Sequence, residues 1–431
     1  MNLVTSTARN VAAGAMKLTP SLLDSVSLSK IVDIRDILLE KQSHGEEVFR
    51  LESGTPAYNL FPGVAEAIIQ AVRDNKTFYT EATGIAPLRR KICEKLARKN
   101  GISHDANENT VFVGQGGMGT LYCVLQALAG PQDTIICPTP LWKSITNIAR
   151  LSGANVVEVE IKEDLGFNWD LDEFAATVAK VRPQAVVLVN PGNPTGGIYP
   201  RCDVEPLFEL VREFGFCVVE DLAYEDIYYD DQYIILSQLA HATGDPAVYR
   251  RFIPVFTTSK SQNFSGLRIG YTHITDPERI IRFKKALLYT TNGVNSLAQW
   301  GAVEALDAKY DDDIRAMCAG YRERRDTLYA ALEKSGVFEM SELPKGAFYL
   351  FPRVNRDRVE TCLGGNESIP SASDPVPIGD WMAKYLLQHG IGSIPGSYFG
   401  ASSRDRVRFS YTCPVEDCRA VGEKLAGMFG T

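Results

Sequence analysis

No stretch of this 431-residue chain approaches the run of ~18 apolar residues that a membrane-crossing helix requires, so a membrane protein is not expected. Histidine is scarce: five residues stand far apart with no HxxxH pair, which argues against a metal site. No block of Lys and Arg breaks the balance of 45 basic against 53 acidic residues, and the net charge of −8 excludes the basic footprint of a nucleic-acid-binding protein. The nine cysteines are scattered without pairs at metal-ligand spacing, a pattern of reduced thiols in a cytosolic enzyme. The N-terminal segment has only a short small-residue apolar run and no cleavage pattern, so a cytoplasmic location is expected. Internal repeats and coiled-coil heptads are also missing.

What remains is the composition of an ordinary globular protein, 45% hydrophobic and 23% charged. Single cores stop growing beyond roughly 250–300 residues, so a large and a smaller domain are expected. Short β-rich apolar runs at 111–114, 134–137, 156–161, 185–190, 217–221, 254–259 and 268–274 alternate with helical patterns. Near-continuous apolar strands separated by helices predict a mostly parallel sheet covered on both faces. Leu121, Val124, Leu125 and Leu128 keep the spacing of one helix face. The expected fold is therefore α/β: a three-layer α/β/α large domain around a seven-stranded sheet. The flanks read differently. Residues 1–60 hold an arm and one helix, 61–309 form the large domain, and 310–431 start with a charged helix and end in an α+β pattern. Both chain ends are expected to build one smaller domain. The Gly/Ser/Pro-rich stretch 362–377 reads as a mobile loop.

Four segments fall at the C-terminal ends of these strands, where open α/β sheets bind ligands. Residues 113–120, VGQGGMGT, form a glycine-rich turn leading into a helix, whose bare amides attract a phosphate. Residues 190–197, NPGNPTGG, carry two Asn-Pro steps whose restricted backbone would aim Asn193 at a fixed point. Asp221 ends a strand and Tyr224 follows it; the pair reads as a site or as a helix cap. Lys260 follows an apolar strand, and a lysine there must lose its proton or find a partner. A neutral amine is what a Schiff base with an aldehyde requires. Arg268, eight residues on, could reach the phosphate of the glycine turn.

The ordered set NPGNPTG, DxxY and SKxxxxxGxRxGY resembles the fold-type I aminotransferases of class I/II, in particular the bacterial aspartate aminotransferase branch, from about residue 50 to the end. The resemblance implies a pyridoxal 5′-phosphate (PLP) enzyme with Lys260 as the Schiff-base lysine and proton shuttle. It implies Asp221 on the pyridine nitrogen, and Tyr224 and Asn193 on the phenolic oxygen. Arg268, Thr257 and the turn Gly116, Gly117 and Met118 would hold the phosphate, with Trp142 stacked on the ring. Arg408 and Gly54 would meet the substrate α-carboxylate. Tyr79 would reach the phosphate of a neighbouring subunit, making a homodimer with shared sites.

The substrates implied are a small amino acid and a 2-oxo acid. Where aspartate-using relatives carry a lysine for the distal carboxylate, this chain has Met118, so strict aspartate specificity is not expected. The polar stretch 289–295 matches a pocket-lining segment. PLP stabilises any α-carbanion, so a lyase or a β/γ-replacement enzyme is the alternative reaction. A non-catalytic PLP-binding regulator is a remoter one, since residues 1–50 are too short for a DNA-binding module.

Overall fold

The structure is a computed structural model describing residues 21–102, 106–230, 232–364, 367–371 and 373–430. The expected N-terminal arm therefore lies largely outside the described residues, as do three positions of the 362–377 stretch.

Seven strands form the central sheet: β1 (Val111–Gln115), β2 (Thr134–Thr139), β3 (Asn155–Glu160), β4 (Ala185–Val189), β5 (Cys217–Asp221), β6 (Phe252–Thr257) and β7 (Ile269–His273). Their order is β1-β7-β6-β5-β4-β2-β3. Strands β3, β2, β4, β5 and β6 pair in parallel, whereas β7 runs antiparallel to both β6 and β1. The run therefore has the mostly parallel sheet that the sequence implies, with one reversed strand inside it.

Alternation along the strands sorts side chains to two faces. Ala185, Val187, Val219 and Ile253 join one core with Leu121, Leu125 and Phe283 from flanking helices. Val186, Leu188 and Val218 face the opposite core with Phe174, Leu207 and Phe208. Every residue of β4 is buried, as a central strand covered on both sides must be. At the edge, NVVEVE of β3 alternates with glutamates toward solvent, which discourages pairing with another chain.

The smaller α+β part is built around the helices Asp311–Ser335 and Val415–Phe429, which pack together. Five short strands join them: β8 (Phe338–Glu339), β9 (Tyr349–Leu350), β10 (Arg353–Val354), β11 (Ile394–Pro395) and β12 (Val407–Ser410). Strands β11, β12 and β9 form an antiparallel sheet. The chain's beginning inserts here. Phe49 bridges to Ile391, and the Ser410 amide donates to the Leu51 carbonyl at 2.7 Å. Phe49 and Leu51 share a core with Leu328, Phe348 and Phe409.

Candidate active site

Parallel strands expose their C-terminal ends on one side of the sheet, and a cavity opens there. Its empty space, including that open to solvent at the mouth, is ≈ 1240 Å³. Strand β1 contributes the turn into the helix Gly116–Leu128, β4 leads to Asn193, β5 ends on Asp221, and β6 ends on Thr257 ahead of Lys260. The small domain adds Tyr349 and Arg408, and the chain's first part adds Ile31, Val32, Arg35 and residues 53–55.

One end of the cavity is a cup for an anion. Gly116 starts the helix at φ +67°, a backbone state that favours glycine, and a Cβ there would lie 2.5 Å from Arg268 Nη2. The absent side chain lets the guanidinium lie over the first helical turn, whose amides have no partner within the helix. Thr257 Oγ1 and Ser259 Oγ share a hydrogen bond of 2.8 Å beside it. Arg268 itself has φ +59° and donates through Nη1 to the Ser265 carbonyl at 2.9 Å. Backbone amides at a helix start, two hydroxyls and a guanidinium together make a phosphate-type site.

The middle of the cavity holds two ionisable groups with displaced affinities for protons. Burial pushes the Asp221 carboxyl up from 3.8 to about 6, against the opposing pull of the Ala223 amide, which donates to it at 3.0 Å, and of Lys260. Asp221 therefore makes a local turn with Ala223 and does not cap a helix. The Lys260 amine is pushed down to about 8, first by burial and then by the guanidinium groups of Arg408 and Arg268. It donates to the Gly54 carbonyl at 2.6 Å. An amine of this kind is unprotonated often enough near neutrality to act as a nucleophile.

At the other end Arg408 is 1% exposed. Its Nη1 donates to Asn193 Oδ1 at 3.1 Å and its Nη2 to the Glu52 carbonyl at 2.7 Å, while Nε is buried without a hydrogen-bond partner among the described residues. The guanidinium lies 4.3 Å from the centre of the Tyr349 ring. A buried guanidinium with only neutral acceptors calls for an anion. The Tyr349 hydroxyl meets that of Tyr224 at 2.8 Å, and burial holds both phenols above their ordinary range. A Cβ on Gly54 would run into the Tyr349 hydroxyl.

The family model for aminotransferase class I and II matches residues 46–425. The chain is a class I and II aminotransferase. It is 30% identical over 405 residues to the aspartate/prephenate aminotransferase of Thermus thermophilus, covering 93% of this chain and 96% of the relative. Its structure is similar to that of a Thermus thermophilus aspartate aminotransferase with maleate, at a TM-score of 0.83 and 27% identity over 96% of this chain and 100% of the other. An aromatic aminotransferase of Pyrococcus horikoshii matches at a TM-score of 0.77 and 26% identity, covering 90% and 97%.

An aminotransferase of this family moves an amino group between an amino acid and a 2-oxo acid with PLP. The residues present fit that cofactor. The glycine-lined cup suits its phosphate, burial outweighs the pull of Lys260 on the Asp221 carboxyl and leaves it ready for a further cation, and Lys260 offers the amine. Transamination is accordingly the reaction the comparisons favour over elimination or replacement chemistry.

Of the residues that the sequence singles out, Gly54, Gly117, Met118, Trp142, Asn193, Asp221, Tyr224, Thr257, Lys260, Arg268 and Arg408 all line this one cavity, with Gly116 at its edge. Tyr79 does not. It is 93% exposed, beside Phe78, in a separate surface depression. The stretch expected to line the pocket, 289–295, also lies away from the cavity of its own chain: Tyr289 is 85% exposed, and Asn292 to Asn295 line the same depression as Tyr79.

Sequence reasoning misses Tyr349, Ser259 as a hydroxyl donor, and the trio Ile31, Val32 and Arg35. The motif around Lys260 contains Ser259 and signals it. Nothing near Tyr349 or Arg35 in the sequence does.

Proposed function

We propose that this aminotransferase carries PLP on Lys260 and takes an amino donor that is not confined to aspartate. The observation supporting the first part is the lysine amine held down to about 8, set between the phosphate-type cup and the buried carboxylate. The backbone of Gly116, Gly117 and Met118, with Thr257, Ser259 and Arg268, would hold the phosphate. Asp221 would face the ring nitrogen, Tyr224 and Asn193 the phenolic oxygen, and Trp142 the ring face. When bound, the cofactor supplies a sink for the electron pair released at the substrate α-carbon.

The chain's own side chains do the rest. Arg408, already desolvated, would grip the α-carboxylate through its paired N–H groups, with Asn193 and the Gly54 backbone fixing the orientation. The Lys260 amine takes the proton from the α-carbon and hands it on, a transfer that needs its pKa near working pH. Buried Asp221 is best ionised beside a cation, and so favours a protonated ring nitrogen. Tyr349 keeps the Tyr224 hydroxyl in place.

Donor choice rests on the wall opposite. Ile31, Val32, Met118, Trp142 and Ile145 line it, and Arg35 is the cation there. Its guanidinium sits against Asp36 at 2.7 Å and is 47% exposed. Such a wall favours an apolar side chain and leaves Arg35 as the group able to meet a second carboxylate at the mouth. Mixing the holoenzyme with a panel of amino acids, without any 2-oxo acid, tests this reading through the visible cofactor band. Apolar donors are expected to bleach it at least as fast as aspartate. Bleaching by aspartate alone overturns the donor assignment.

A homodimer with shared sites is part of the same proposal. Tyr79, Phe78 and Tyr289 are large, ring-bearing and exposed on one chain, as residues destined for a partner would be. We also assign the domain limits at 60/61 and 309/310, and a cytoplasmic setting, which the free thiols support.

A further inference from the structure

The helix Val415–Phe429 begins with an arrangement that catalysis does not use. Pro414 is its N-cap, so Cys413 precedes the cap and Cys418 is the fourth helical residue. Side chains at those two positions often pack across the first turn as a hydrophobic staple, fixing the angle at which the chain joins the helix. Here both members of the staple are thiols. Their sulfurs stand 3.5 Å apart, with Cys413 8% exposed and Cys418 fully buried. A disulfide needs about 2.05 Å between sulfurs, so roughly 1.5 Å of side-chain movement would close the bond.

The two thiols differ in the way a reactive pair must. The contact with Cys418 holds the Cys413 thiol below its ordinary range, burial opposing, and the same contact raises Cys418. The amides of a helix start also favour a thiolate at Cys413. The other buried thiols lack this setting. Burial pushes Cys137 up to about 12 and raises Cys217, and among the described residues the Cys123 sulfur bonds the Thr290 hydroxyl, at 3.4 Å.

We infer that Cys413 and Cys418 form a reversible oxidation site, with Cys413 attacking a small hydroperoxide and Cys418 resolving the product to a disulfide. In the first step the Cys413 sulfur bonds to one peroxide oxygen, the O–O bond breaks, and the other oxygen leaves as water or an alcohol with the thiol's proton. Cys413 then carries a sulfenic acid. In the second step the Cys418 sulfur attacks the Cys413 sulfur, the S–O bond breaks, and hydroxide leaves as water with the proton of Cys418. The two sulfurs together lose two electrons and the peroxide gains them. A dithiol reverses the change by exchange. Neither cysteine lines the catalytic cavity, so variants at these positions keep the basal reaction.

The experiment treats the holoenzyme with a few equivalents of hydrogen peroxide, blocks remaining thiols after denaturation, and digests with trypsin. Both cysteines fall in one tryptic peptide, residues 409–419. Oxidation is expected to yield this peptide unblocked and ~2 Da lighter, by loss of two hydrogens. The change should precede modification of the exposed Cys202 and should reverse with dithiothreitol. Cys413→Ser and Cys418→Ser should both abolish it. Cys418→Val keeps an apolar staple and guards against misfolding; its peptide should then stop at the sulfenic acid or a more oxidised form of Cys413. A fully blocked peptide 409–419 while Cys202 oxidises, or a disulfide to any other cysteine, overturns the assignment and leaves the pair as packing alone.

Discussion

Replacing Asp221 with asparagine should make the cofactor-free protein more stable while disabling the enzyme. In the structure the Asp221 carboxyl is buried at the end of β5, with the Ala223 amide as its hydrogen-bond donor, and its pKa is raised from 3.8 to about 6. A displacement of that size corresponds to about 3 kcal/mol between the protonation states. Because the folded value lies above the unfolded one, the stabilising contribution is complete below pH 3.8 and is lost as pH rises through about 6. Asparagine keeps the shape and a hydrogen-bonding oxygen but has no charge to desolvate. The variant's advantage should be about half developed at pH 5 and complete at pH 7.5, where it amounts to about 3 °C in Tm for a chain of this size. Scanning calorimetry of both proteins stripped of PLP, at those two pH values, reads it directly. Adding PLP should reverse the order, since the ring nitrogen then gives the aspartate its cation and the asparagine gains nothing comparable. A gap that does not change with pH, or an asparagine variant that is less stable without cofactor at pH 7.5, would refute the electrostatic argument. Near-wild-type turnover would refute the catalytic role.

Five further outcomes follow from the geometry. Lys260→Ala should remove the covalent visible band and the activity while leaving the circular dichroism intact. In the wild type, covalent capture of added PLP should quicken as pH rises through about 8, the point at which the Lys260 amine loses its proton; rapid-mixing absorbance measures this. Arg408→Lys gives up the two-pronged grip. Losing charge-assisted hydrogen bonds worth about 1.5–3 kcal/mol should raise KM for any amino donor on the order of tenfold to a hundredfold. Gly116→Ala forces a side chain into φ +67° and against Arg268, so PLP affinity, measured by fluorescence titration, should fall more than thermal stability does. Arg35→Gln should raise KM for a dicarboxylic 2-oxo acid several-fold and leave monocarboxylic acceptors unchanged, as steady-state assays with both acceptors would reveal.

The parts of the site legible in sequence are those carried by single strand ends. Asp221 and Thr257 lie in apolar β-rich runs and Lys260 follows one directly, and strand periodicity alone puts them on one edge of the sheet. The direction of β7 was not legible, because a buried apolar run reads the same parallel or antiparallel. Tyr349 is illegible in the sequence for a related reason. It sits in a two-residue strand of another domain, and only the tertiary fold brings its hydroxyl to Tyr224. Arg35 looks from its sequence like one more charge on a surface helix, and only the position of the helix Lys30–Ser43 over the cavity gives it a function. The stretch 289–295 shows the converse, since its polar composition suited a pocket that the fold of one chain does not bring to it.

The buried position of Arg408 also bears on how the enzyme is made. Arg408 bonds the carbonyl of Glu52 across 356 positions of chain, and Ser410 pairs with Leu51. During synthesis the glycine turn, Asp221 and Lys260 have all emerged while Arg408, proposed to grip the substrate, is still untranslated. A nascent chain can thus assemble its cofactor pocket first. Residues 49–54 must wait for the last strand, and this leaves their apolar side chains exposed to chaperones until translation ends.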